Sequence, residues 1–425
     1  MNEFEKFGLG HTSHEPVLRV ALVSKFPPSS GGESEYFYNL AKSVSNISHA
    51  VAVANLEQRA KTLESSGRLR MLRVWQTNHL SYPFRILKAC VGLRPNLIHL
   101  NHEYLLYGRP AYGALFPFLL ILLRLTRAPV VVTMHSVIPR EALAKDFFKR
   151  YSWQRFSALK SLLLYAWTKL ILILATHIIV LSEASRNCLV RQYGCPSGKI
   201  STVAHGVSNL PLLSKQQARH LLDLEDRPII LNVGFLHEKK GIEYLVRAMS
   251  TVLKENPKAL LVVAGGPHAS YAGNIRFQEY VARLRQLVSS LDIRDSVILR
   301  TQTVPVELVP IYLASADVVV LPYLEHFGAS GVLAHAIAAG KPVVATRVNP
   351  FFESLQDGVN ALLVNPGNEN ELAGAILKLI NDSGFGEYLA KNLRNSAANL
   401  GWGNVANLHL KIYSDLAKGS NGLGV

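Results

Sequence analysis

The sequence predicts two doubly wound α/β domains, each a largely parallel sheet with helices on both faces. Three observations carry that expectation. Short runs rich in Val, Ile and Leu, such as VLRVALVS at 17–24 and IILNV at 229–233, alternate with longer segments of helical spacing. The alternation stops over a polar, turn-rich stretch at 206–228 and then restarts. The 425 residues, 49% of them apolar, suffice for two or three domains that each bury a core without disulfides or metals.

In the first half the strand at 17–24 runs into the loop FPPSSGGESE and a helix at 36–44. Further strands are expected at 49–54, 96–101, 129–135 and 177–181, with helical segments between them. The second half repeats the plan with strands at 229–233, 259–264, 296–299, 318–321, 342–346 and 361–364. A helical pattern at 402–416 precedes a tail, GSNGLGV, expected to fray. The predicted domains are therefore 1–210 and 211–400, followed by a C-terminal helix and tail at 401–425. In such sheets ligands bind beyond the carboxyl ends of the strands, so a cleft is expected where those ends face each other.

Composition removes several classes. Disorder and collagen-like repeats do not fit this apolar content. Cys90, Cys188 and Cys195 form no CxxC pair, which argues against a disulfide framework or a structural zinc site and for a reducing cytoplasm. The first fifteen residues lack the apolar core of a secretory signal. The apolar run at 114–123 is too short to span a bilayer, which needs about twenty residues. That at 162–181 carries Lys169, at a cost of roughly 2.5–3.5 kcal/mol in a membrane, and its HIIVLS end reads as a strand following a helix.

Charge is uneven. Residues 1–210 hold 25 basic and 11 acidic side chains, a net of +14, whereas 211–425 hold 20 and 19, a net of +1. Seven basic residues lie between Arg140 and Lys169, interleaved with Phe147, Phe148, Tyr151, Trp153 and Phe156. Such a stretch suits an anionic membrane surface; a solvated helix face is the bland alternative. Nucleic acid is disfavoured because no binding motif accompanies the charge.

Three loops carry chemistry. Gly31 and Gly32 sit between the first strand and a helix, where paired glycines admit a ligand and the helix start offers unpaired N–H groups to an anion. In VGFLHEKKG, Gly234 ends a strand and Lys239 and Lys240 precede Gly241 and a helix, placing ammonium groups beside a phosphate-sized site. In YLEHFGASGVLAHAIAAGKP, Glu325 can accept hydrogen bonds from sugar hydroxyls. Ser330 can cap the helix that follows, leaving amides for a phosphate or sugar oxygen.

These segments, with VVVTMHS, HIIVLSEASR, KISTVAHGV, LLVVAGG and FFESLQDGVNALLVNPGN, occur in an order that resembles the family 4 glycosyltransferases over residues 17–382. The resemblance implies the GT-B fold, two Rossmann-like domains facing across a cleft. It further implies transfer of a sugar from a nucleotide diphosphate donor with retained anomeric configuration and no metal or other cofactor. It assigns Lys240 to the donor diphosphate, His135 to the neighbourhood of the donor sugar, and Gly31 and Gly32 to the diphosphate. It extends the donor site to Gly234, Lys239, Gly265, Gly266, Ser330, Gly331, Val332 and His335, and it implies that the helix at 402–416 packs back on the first domain.

Two positions depart from the family pattern. Phe235 stands where many members have arginine, so Lys239 is expected to supply that charge. His335 stands where many have a second glutamate on the ribose, with Glu325 as the first. The expected catalytic residues are His135, Lys240 and Glu325. The expected acceptor is lipid-linked or part of an envelope polysaccharide, with the basic domain peripheral on the cytoplasmic membrane face. A soluble acceptor and a catalytically silent nucleotide-sugar-binding scaffold remain the alternatives.

Overall fold

Runs of β-branched residues form strands because their stiff side chains pack on a pleated surface, and intervening helices return the chain so that successive strands lie parallel. The computed structural model describes residues 18–29, 31–56, 63–144, 157–208, 210, 213–267, 275–349 and 351–421. Contacts divide the chain into two units. The first comprises the chain up to Ala204, the segment Phe327–Ala329 and the chain from Trp402; the second comprises His205–His326 and Ser330–Gly401. The sequence placed the division after Leu210, whereas the contacts place it after Ala204.

The first unit runs β1 (Arg19–Ser24), α1 (Gly32–Ser45), β2 (His49–Asn55), β3 (Leu63–Ser66), β4 (Leu69–Trp75), α2 (Tyr82–Leu93), β5 (Leu97–His102), α3 (Phe116–Leu123), β6 (Val130–Met134), α4 (Ser157–Leu174), β7 (His177–Val180), α5 (Glu183–Tyr193) and β8 (Ile200–Thr202). The sheet order is β3-β4-β2-β1-β5-β6-β7-β8, parallel except for the antiparallel pair β3–β4. Strands β3, β4 and β8 were not expected. In β4, LRMLRVW, buried and half-buried residues alternate with arginines among them, so it lacks the continuous apolar run of its neighbours. Buried Arg73 joins this edge together, bonding to Asn55 O at 3.0 Å and Glu64 Oε2 at 2.9 Å. Both sheet faces are covered: Ala21 and Val23 enter one core with Val51 and Val132, and Val20 and Leu22 the other with Phe37 and Ala52. No described helix is long and apolar enough to cross a membrane. Residues 145–156, the centre of the basic, aromatic stretch, lie outside the described residues.

The second unit runs α6 (Lys215–Leu221), β9 (Ile229–Val233), α7 (Ile242–Glu255), β10 (Leu260–Ala264), α8 (Ile275–Ser290), β11 (Val297–Arg300), α9 (Val309–Ser315), β12 (Val318–Leu321), α10 (Gly331–Ala339), β13 (Val343–Thr346), β14 (Leu362–Val364), α11 (Glu369–Asn381) and α12 (Ser383–Ser396). Its sheet, β11-β10-β9-β12-β13-β14, is parallel throughout. The stretch read as a turn-rich break contains α6, a helix started by a reciprocal Ser214–Gln217 capping box. Asp317 anchors it, accepting from Arg219 Nη2 and from Ile229 N, each at 2.7 Å.

The last helix, α13 (Trp402–Asn421), belongs to the first unit and packs on α1. Val405, Ala406 and Tyr413 enter the same core as Leu22 and Phe37. The tail beyond residue 421 lies outside the described residues.

Candidate functional site

In each sheet the strand order reverses beside the first strand of the unit, between β1 and β5 in one and between β9 and β12 in the other. Loops diverge at such switch points and leave room for a ligand. The sequence-predicted residues cluster at these two places.

In the second unit, Gly234 follows β9 with φ of 123°, and its N–H reaches Ala264 O at 3.0 Å. A Cβ on Gly265 would lie 1.7 Å from Gly234 O, and one on Gly266 2.4 Å from Thr303 N, so these glycines serve close backbone packing. The backbone of Gly266 also accepts from Leu236 N at 2.9 Å, holding the start of the loop. Gly241 has φ of 64°, and a Cβ there would meet Pro322 O at 2.0 Å, so the lysine loop presses against the end of β12.

That contact orders both lysines. Leu324 N donates to Lys239 O at 2.8 Å, and Lys239 Nζ lies 3.2 Å from Glu325 Oε1, with both side chains largely buried. Lys240 Nζ stands 3.5 Å from the centroid of the buried Tyr323 ring, a cation–π geometry. The sequence treated Lys239 as a spare cation in place of the arginine at Phe235; the structure pairs it with the loop acid.

Ser330 is the N-cap of α10, its Oγ accepting from Leu333 N at 3.3 Å. The first turn of α10 contains no acid, so the positive end of its dipole is available to an anion at Gly331 and Val332. A Cβ on Gly234 would lie 3.0 Å from Val332 Cγ2, which brings the β9 loop to this helix start. His335 sits one turn further along, half-buried. His205, to which the sequence gave no role, places Nε2 about 4.0 Å from the Cβ position of Gly331. Its signal was the AHG triplet after the 200–203 run. Beside Gly266, a hollow of about 400 Å³ is lined by Arg300, Thr301, Thr303 and Tyr312.

In the first unit, Gly31 is the N-cap of α1 with φ of 141°, and a Cβ on Gly32 would meet open space. The expected anion site at this helix start differs from that of α10, because Glu33 and Glu35 occupy its first turn and already compensate the positive end of the dipole. Asn101, at the end of β5, was missed by the sequence and organises this site. Its Nδ2 donates to Ser24 Oγ at 2.9 Å and to Glu33 O at 3.0 Å. With both amide hydrogens used, Oδ1 must be the atom that faces His135 Nε2 at 2.6 Å. His135 Nε2 is therefore protonated and donates, and Tyr36 meets the imidazole edge-on at 4.9 Å. A Cβ on Gly328 would lie 2.2 Å from His135 O, and Val137 N donates to Phe327 O at 3.1 Å, so the Phe327–Ala329 segment is seated against the same strand end.

Glu103 was also missed, although an acid directly after a buried strand is a visible signal. Burial pushes its carboxyl up to about 7, against the lowering effect of hydrogen bonds from Ser136 and the Tyr104 amide. Among the described residues no group of three or more His, Cys, Asp or Glu is placed to hold a metal ion.

The model of Glycosyltransferase Family 4 matches residues 30–209, and that of Glycosyl transferases group 1 matches residues 214–398. The chain belongs to the family 4 glycosyltransferases and has the GT-B fold. It is similar to an uncharacterized glycosyltransferase of Methanocaldococcus jannaschii, 31% identical over 246 residues, which is 56% of this chain and 59% of that protein. The chain thus spans little more than half the length of that relative. Its fold is that of the sucrose-phosphate synthase from Thermosynechococcus elongatus, with a TM-score of 0.74 at 22% identity over 94% of this chain and 99% of the other. Anabaena HepE, solved in complex with UDP and glucose, has a TM-score of 0.71 at 16% identity over 94% and 100%.

Proposed function

We propose that the protein is a retaining glycosyltransferase that moves a sugar from a nucleotide diphosphate donor to a lipid-linked or envelope-polysaccharide acceptor at the cytoplasmic membrane face. The observation that carries the donor half is the convergence, in the second unit, of the Gly234 loop and the acid-free start of α10, flanked by the lysine loop held against the end of β12.

Breaking the bond between the sugar and the diphosphate leaves negative charge on the phosphate oxygens, and fixed positive groups lower that barrier. Lys240 and the α10 amides at Gly331 and Val332 supply such groups. Lys239 holds Glu325 in place, and that carboxylate accepts from sugar hydroxyls, with Ser330 and His335 as further donor contacts. Gly234 lets the diphosphate approach the backbone, and Gly265 and Gly266 border the donor site as the close-packed support of that loop. No metal takes part in this reading. In the first unit His135 acts on the transferring sugar with its protonated Nε2 fixed by Asn101, and Gly31 and Gly32 keep the strand end open to a ligand. The HepE complex with UDP and glucose supports a UDP-sugar as the first donor to try.

Thermal-shift titration with UDP-, GDP- and ADP-sugars tests the reading, because a ligand that binds only the folded chain raises its Tm. One nucleotide class is expected to shift the wild type and to lose that shift in Lys240→Ala. No shift with any of the three, on a folded sample, overturns the reading. Hydrolysis of the donor without acceptor then separates an enzyme from a binding scaffold.

A further inference from the structure

Helices α2, α3 and α4 lie side by side on one face of the first unit: α2 packs on α3, and α3 on α4. Their inner sides enter the core through Ile86, Leu120 and Ile171. Their outer sides are apolar as well. Phe84, Phe118, Ile121, Leu162, Leu163 and Ile173 are between 39% and 62% exposed. Phe84 and Phe118 meet edge to face at 5.6 Å, which joins the exposed sides of α2 and α3, and Trp167 Nε1 of α4 donates to Ala114 O, just before α3, at 3.3 Å. A soluble monomer scatters such residues singly, and a connected patch marks an interaction site.

Charge identifies the occupant. The three helices and the turn after α3 carry Arg85, Lys88, Arg124, Arg127, Lys160 and Lys169, and no Asp or Glu. A second copy of this chain would bring the same positive charge against itself. An anionic bilayer supplies what the surface lacks: an apolar layer for Phe and Leu below a plane of negative headgroups for Lys and Arg. We infer that α2, α3 and α4 form a docking face for an anionic lipid bilayer, with Phe118, Ile121, Leu162 and Leu163 entering the acyl boundary and the basic side chains meeting headgroup phosphates. The inference rests on the lipid-acceptor reading above and deepens it by naming the surface. Residues lie in the interface here, and none of the three helices spans.

The test is co-sedimentation of the full chain with phosphatidylcholine vesicles and with equimolar phosphatidylcholine and phosphatidylglycerol vesicles. The wild type is expected to bind the anionic vesicles at least about tenfold more strongly than the neutral ones. The double variants Leu162→Glu with Leu163→Glu, and Lys88→Glu with Arg127→Glu, change exposed side chains and are expected to keep the wild-type Tm. Each should weaken vesicle binding by about tenfold or more. Absence of wild-type binding to anionic vesicles overturns the inference, as do variants that bind like the wild type. A chain that sediments as a dimer and becomes monomeric in the leucine variant overturns it too, since the face then belongs to a second copy. The nucleotide-sugar thermal shift on the same samples separates the two readings. Vesicle binding without a donor shift supports the docking face and counts against the transferase, whereas a donor shift without vesicle binding does the reverse.

Discussion

The docking of α13 depends on histidines that stay neutral, and acid should therefore loosen it. His409 is fully buried; its Nδ1–H donates to Val405 O at 2.8 Å and its Nε2 has no partner. His99 stands 5.8 Å away, between Tyr413 Oη at 2.5 Å and Thr133 Oγ1 at 2.7 Å. Burial lowers the pKa of His409 from 6.5 to about 4, and burial, followed by repulsion from His409, also holds that of His99 well below the usual histidine range. Between pH 6.5 and 4 these two histidines therefore bind more protons in the unfolded chain than in the folded one, so their contribution to stability falls as pH falls through that window. For His409 alone the full loss is about 3 kcal/mol, of which about 2 kcal/mol falls between pH 7 and pH 5. His409→Leu removes both the titration and the unpaired acceptor. Urea unfolding at pH 7 and pH 5, followed by tryptophan fluorescence, should show the variant at least as stable as the wild type at pH 7. It should also lose about 2 kcal/mol less on acidification. Equal losses in the two proteins would refute the reasoning.

Two further substitutions test the site geometry. Gly241→Ala places a Cβ at positive φ and 2.0 Å from Pro322 O, and should cost about 2–4 kcal/mol in urea unfolding and abolish the nucleotide-sugar thermal shift; a loss under about 1 kcal/mol would show that the loop is not pressed against β12. Asn101→Leu strips Ser24 Oγ, Glu33 O and His135 Nε2 of their shared partner. It should cost about 3 kcal/mol and suppress transfer, while the donor thermal shift, which reads the second unit, is retained.

IILNV and VVVL appear as strands over the residues expected, because a buried parallel strand is a local apolar run that needs no partner to be seen. β4 was invisible because Arg70 and Arg73 interrupt its apolar run, and Arg73 is buried only where Glu64 and Asn55 come to meet it. Lys239, Lys240 and Gly241 were legible as a loop. Their pairing with Glu325 and Tyr323 was not, since more than eighty residues separate the partners and only the adjacency of β9 and β12 joins them. Asn101 was passed over as the end of a strand, for its meaning lies in meeting Ser24, Glu33 and His135 at once.

The sequence by itself determined the two doubly wound units, the family, the glycine and lysine loops at the strand ends, and the excess of positive charge in the first half. Those properties are periodic or compositional, and local spacing carries them. Tertiary structure alone decided that α13 is seated against buried histidines, that Asn101 sets the His135 tautomer, and that α3, FPFLLILL, is only half buried. Each depends on which surfaces distant segments cover, and an apolar run reads the same whether its outer face meets a core or is left open.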